Sequence, residues 1–152
     1  MRTVVSITAL MALGLTVMPL CASSPDKSPP DQQTIEALET RASQAQPREQ
    51  CFLYAQLVHQ MTELSVRQYQ AGNVDAATGL LKRIQSLAQK IHLSMGNNDK
   101  RLKNAEILLN HTAFRLTEML HASNYEDRPL VQQTLTQVNQ AQSEAMMQVF
   151  HK

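Results

Sequence analysis

Four glycines are scattered over 152 residues. They build no phosphate-cradling loop, and no Gly-x-Ser-x-Gly elbow occurs. The two cysteines, Cys21 and Cys51, supply neither a Cys-x-x-Cys-His haem attachment site nor a paired metal-cysteine motif. No interval alternates apolar and polar residues in twos with β-branched enrichment, so strands are not expected. Charge is nearly balanced, with 14 basic residues against 13 acidic. Such a chain is not built to hold phosphate backbones by counterion release, which argues against nucleic acid as a partner. Beyond Met18 no apolar stretch approaches membrane-spanning length, so no transmembrane span is expected in the mature chain.

What is present begins with the pattern of an export signal. Arg2 supplies a positive start, and Val4 to Met18 is apolar apart from Ser6, Thr8, Gly14 and Thr16. Pro19 then precedes the small residues Ala22, Ser23 and Ser24. That order predicts a signal peptide over residues 1–23, cleaved after Ala22 or Ser23, and a periplasmic or extracellular protein. Lipid anchoring at Cys21 is the competing reading, disfavoured because Leu20 stands where a small residue is wanted. Cleavage removes Arg2 and takes the 14 basic residues to 13, equal to the 13 acidic ones. It also leaves Cys51 alone in an oxidising compartment, either as an intermolecular thiol or as a small half-buried apolar side chain.

Residues 24–46 form a proline-rich leader, within which "DQQTIEALETRASQA" fits a short helix capped by Asp31. Its thin stripe of Ile35, Leu38 and Ala42 leaves it either loosely docked or disordered. Residues 47–151 carry four stronger helical stripes. Pro47 opens the first, with Tyr54, Leu57, Val58, Met61, Leu64 and Ser65 inward. Past "AGN" the second runs Ala77, Leu80, Leu81, Ile84, Leu87, Ala88, Ile91 and Met95. "GNND" follows, with Gly96 as cap and Asn98 or Asp99 starting the next helix. The third stripe is Leu102, Ala105, Leu109, Thr112, Ala113, Leu116, Met119 and Leu120. After "SNYEDRP" the fourth is Val131, Leu135, Val138, Ala141, Ala145 and Val149, the weakest because two members are alanine. Helices of this length joined by tight turns predict an all-α fold, an antiparallel up-down-up-down four-helix bundle.

Two resemblances add to this. "YQAGNVDAATGLLKRI" is similar to the turn inside a tetratricopeptide repeat, with Gly72 and Asn73 turning the chain and Ala77 at the close-packed position. The motif's aromatic positions fall on Met61 and Leu81, its closing proline on Gln89, and no second copy follows at that family's period. "CFLYAQLVHQMTEL", "KRLKNAEILLNHTAFRL", the "EDRPL" turn and the terminal "QVFHK" resemble an uncharacterised family of small secreted helical proteins from environmental bacteria. The resemblance spans Cys51 to Lys152. It implies one exported helical domain and carries over no functional residue.

The residues with chemistry were weighed by phase. Glu118 and His121 form a Glu-x-x-His step of the kind that binds two metals in carboxylate bundles, with Glu63 and Glu144 as the other carboxylates. Against the line Leu102, Leu109, Leu116, however, Glu118, His121 and His111 turn towards solvent. His59 and Glu63, one turn apart, read as an exposed pair; His92 flanks the core, and His151 sits in the fraying last turn. Cys51 and His59 are about 12 Å apart on one helix, too far for a nucleophile and its base. The expectation is therefore no catalytic, cofactor or metal site, and no enzyme. A small-molecule or metal-binding bundle is the alternative.

Recognition by surface remains. Residues 74–103 hold Lys82, Arg83, Lys90, Lys100, Arg101 and Lys103 against Asp75 and Asp99, a basic corner suited to an acidic partner or lipid head groups, or simply solvated. Phe52, Leu53, Ile107, Leu108, Phe114, Met147 and Phe150 are off the core stripes, and Phe52 and Leu53 with Phe114 form a candidate contact patch for a partner helix or a second copy. The competing reading packs them into a widened core or under the leader helix.

Overall fold

The computed structural model describes residues 30–95 and 101–150. The expected signal segment, Cys21, the Gly96 cap with Asn98 or Asp99, and His151 lie outside the described residues. Five helices account for all regular structure there: α1 (Gln32–Gln44), α2 (Pro47–Gln70), α3 (Val74–Ser94), α4 (Leu102–Ala122) and α5 (Arg128–Phe150). The described residues are all-helical and their helices pack on one another.

Local chemistry sets the boundaries. Asp31 caps α1 by accepting a 2.7 Å hydrogen bond from the Thr34 amide. Pro47 takes the first position of α2, where its missing N–H costs nothing. At the other end of α2, Gly72 has φ +83°, a left-handed conformation closed to most side chains. With it there, the Gly72 amide donates to Tyr69 O and the Asn73 amide to Gln68 O, at 3.0 and 2.9 Å. This pair of bonds ends the helix and reverses the chain into α3.

The apolar stripes are the core. Every expected inward residue of α2 and α3 is buried; in α4 only Leu120, and in α5 only Val149, is partly exposed. Each fully buried leucine or isoleucine, such as Leu57, Ile84 or Leu109, contributes about 1.5–3 kcal/mol by leaving water. The leader helix is ordered rather than loose. Ile35, Leu38 and Ala42 are buried against α2, and Glu39 pairs with Arg83 of α3 at 2.6 Å. Three helices therefore surround α2, which buries Cys51, Leu53, Ala55, Thr62 and Val66 in addition to its expected stripe.

The helices pair in a way periodicity does not specify. α2 packs against α3, and α4 against α5, each pair as a hairpin. Ser65 of α2 donates to the Ala77 carbonyl of α3 beside the first turn, and Gln142 of α5 reaches back to Glu106 of α4. Between hairpins, α2 packs on α4 and α3 on α5, whereas α3 and α4 make no close approach among the described residues. The turn expected between α3 and α4 lies outside the described residues, and those two helices do not pack on each other. A hydrophobic stripe states which face is buried, not which helix covers it.

Cross-links fix the directions. Along α2 and α4 the pairs Phe52–Arg101, His59–Thr112, Glu63–Arg115 and Tyr69–Asp127 rise together, so these two helices run parallel. Gln85–Thr134 and His92–Glu144 show the same for α3 and α5.

Candidate partner-contact surface

No turn joins α2 to α4, so their register rests on side chains. At one end the Arg101 guanidinium lies 4.3 Å from the centroid of the Phe52 ring, a cation-π contact that also covers the ring's apolar face. In the middle, the Thr112 hydroxyl donates to the Leu108 carbonyl at 2.7 Å, which leaves its lone pair for His59 Nδ1 at 3.2 Å. That contact requires His59 Nδ1 to carry a proton and donate it to the Thr112 hydroxyl. One turn further, Arg115 clamps Glu63 through Nε and Nη2 at 2.7 and 3.2 Å, while Nη1 bonds Glu118. At the far end, Tyr69 Oη donates to Asp127 and accepts from the Asn124 amide, both at 2.9 Å.

Burial pushes the His59 pKa below its ordinary value, and nearby His111 and Arg115 push the same way against the opposing pull of Glu63. For Arg115 the Glu63 hydrogen bond is the largest influence, and with Glu118 it outweighs burial and raises the pKa. On the other seam, burial acts to raise the Glu144 pKa, but hydrogen bonds from His92 and Gln140 together carry it below the usual carboxylate value.

Each residue singled out in the sequence now has a place. Glu118, His121 and His111 are exposed on the outer side of α4, as their phase requires. Glu63 belongs to Arg115 and Glu144 to His92. Among the described residues no three His, Cys, Asp or Glu side chains gather as a metal-binding group would. His59 is the exception to its forecast: it is half-buried in the α2/α4 seam and bonded across it, not exposed beside Glu63. Phase counted from Tyr54 placed it off the core of α2 correctly. That rim is where α4 lies, and no signal in the sequence reports it.

The three-residue contact patch does not form as one surface. Leu53 is 3% exposed and Cys51 is fully buried, both inside the core cluster. Phe52 is half-buried beneath Arg101, while Phe114 is 63% exposed on the outer face of α4. Burial also takes the Cys51 thiol out of reach of another molecule. What the structure brings beside Phe52 instead is a groove of about 380 Å³ between α2 and α4, lined by Phe52, Gln56, His59, Gln60, Asn104, Ile107 and Leu108. Ile107 is 41% exposed and stands seven residues before Phe114, two helical turns along the same face.

Comparison of the chain with protein families, with curated proteins and with solved structures returned no match. No helix among the described residues is long and apolar enough to cross a membrane.

Proposed function

We propose that the protein is an exported, non-enzymatic helical module that works by protein-protein contact, with α2–α5 forming a bundle of two hairpins laid side by side. The observation that carries this reading is the line of Ile107 and Phe114 on the outer face of α4, running out of the α2/α4 groove. Apolar side chains two turns apart beside a mainly apolar groove edged by Gln56, His59, Gln60 and Asn104 suit a partner helix laid along α4. The groups that would otherwise suggest chemistry support it, because Glu63, Arg115, His92 and Glu144 are engaged in holding helices together.

Sizing at two concentrations tests the self-association form of this reading. Wild type should shift towards dimer at the higher concentration, and the doubly substituted Ile107→Ser, Phe114→Ser variant should stay monomeric. If both chains stay monomeric, the partner is a different protein, which affinity capture from the native envelope with wild type but not the variant would show. Equal capture by both chains removes this face as the contact. A stoichiometric transition metal or a Soret band in protein from its native compartment would overturn the interaction-only reading in favour of a ligand-binding bundle.

A further inference from the structure

Seven large apolar side chains are markedly exposed among the described residues, and four of them, Leu93, Met146, Met147 and Phe150, come from the last turns of α3 and α5. Those two helices run parallel and finish at the same end of the molecule, since His92 pairs with Glu144. α2 and α4 begin there, as the Phe52–Arg101 and Glu106–Gln142 contacts show. Leu93 and Phe150 are each 80% exposed.

We propose that this end of the molecule docks on an anionic lipid surface. The cations are placed for it. Lys90, Arg101 and Lys103 are exposed at this end, and Arg48 opens α2 beside them. Lys90 and Arg101 lie over the Tyr54 and Phe52 rings, so their charges sit above an apolar base. Among the described residues three acidic ones share the end, and two are engaged between helices: Glu106 with Gln142, and Glu144 with His92 and Gln140. The third, Glu49, sits in the first turn of α2. At the opposite end Asp31, Asp75, Glu126 and Asp127 accompany Arg67 and Arg128, and among the described residues Tyr125 is the one large exposed apolar side chain.

Leu93 edges a groove of about 390 Å³ that it lines with His92 and Glu144, while Met146, Met147 and Phe150 lie exposed along the last turns of α5. Side chains at helix ends can enter an interface between head groups and acyl chains without a complementary cavity. Cations at the same level add attraction to anionic head groups. The two surfaces adjoin at Phe52 and Asn104, which line the α2/α4 groove beside Arg101 and Lys103, but Phe114 lies about 20 Å along α4 from Arg101 and outside this end.

The test is sedimentation of the chain, recovered after export, with vesicles of phosphatidylcholine alone or mixed with phosphatidylglycerol. The expected result is binding to the anionic vesicles that weakens as salt rises, with little binding to phosphatidylcholine. Leu93→Ser and Phe150→Ser should each lower the partition about tenfold, and Lys103→Gln about fivefold. All three positions are exposed, so thermal unfolding by circular dichroism should be unchanged. Phe114→Ser should bind vesicles as wild type does, which separates this surface from the protein-contact face. Equal binding to both vesicle types, no binding to either, or wild-type binding by the Leu93→Ser, Phe150→Ser double variant overturns the proposal. Loss of vesicle binding in Phe114→Ser alone does so too.

Discussion

The α2/α4 and α3/α5 pairs have the same geometry and are held by different means. Both are parallel neighbours drawn from separate hairpins. The first is tied along its whole length, by Phe52–Arg101, His59–Thr112, a two-pronged Glu63–Arg115 clamp, and Tyr69 bridging to Asn124 and Asp127. The second has two ties among the described residues, Gln85–Thr134 and His92–Glu144, and its α5 side is lined partly by Ala141 and Ala145. Parallel helices with no short turn between them can slide. Directional polar contacts are what select one register, while apolar burial supplies most of the stability. One seam therefore specifies how the hairpins fit, and the other follows.

The largest break in that contrast should come from the core. Leu116→Ala, at a fully buried position of α4, is expected to cost about 2–5 kcal/mol. Val138→Ala, equally buried on the alanine-lined side of α5, is expected to cost about 2 kcal/mol, since fewer methyl groups leave a smaller cavity. Urea unfolding of the two variants gives both numbers. A Val138 loss as large as that of Leu116 would mean the α3/α5 seam is not the weaker one.

Next come the ion pairs. Arg115→Met leaves the Glu63 carboxylate half-buried without its clamp and should cost about 1–2 kcal/mol. His92→Gln removes a pair whose histidine is 60% exposed, and should cost under about 0.5 kcal/mol. Similar losses from the two substitutions would remove the distinction between the seams.

The smallest effect sharpens the comparison by pH. Burial holds the His59 pKa below the ordinary 6.5 in the folded chain, so the unfolded chain takes up the proton first. Stability is then full above about pH 6.5 and falls as pH drops from there through the folded value. Glu144 has a folded pKa below its ordinary 4.5. Its contribution is present above about pH 4.5 and is lost as pH falls through the folded value. The α2/α4 seam should therefore weaken at milder acidity than the α3/α5 seam. His59→Gln should flatten the upper part of the stability profile and leave the lower part in place, measured as unfolding midpoint against pH.

What the sequence made legible was burial within each helix. The α3 stripe from Ala77 to Met95 is buried throughout, and counting from Leu109 and Leu116 sufficed to turn His111, Glu118 and His121 outward. Period carries that information because a helix repeats it every turn. Partner choice is set by contacts between residues some fifty positions apart, and no local pattern encodes those. This is why α4 beside α2 was not foreseen, and why His59 looked exposed. Leu53 and Cys51 were misplaced for a related reason. The thin stripe of α1 gave little sign that α1 would cover α2, and its docking widens the part of α2 withdrawn from water. The turn at Gly72 was readable because its geometry demands a particular residue.

The separation across the hairpins has a kinetic meaning. Hydrogen-bonded pairs that join them are 53, 52, 49, 52 and 58 residues apart at His59–Thr112, Glu63–Arg115, Gln85–Thr134, His92–Glu144 and Tyr69–Asp127. Contacts inside each hairpin begin only a few residues from its turn, as Ser65 and Ala77 show at a spacing of 12. Loop closure makes the near contacts fast and the distant ones slow. Each hairpin can thus form early, and the rate-limiting event becomes the docking of two preformed halves in one alignment. Substitutions at Glu63 or Arg115 should then slow refolding, whereas loosening the Gly72 turn should act before that step, on how often the first half is ready to dock.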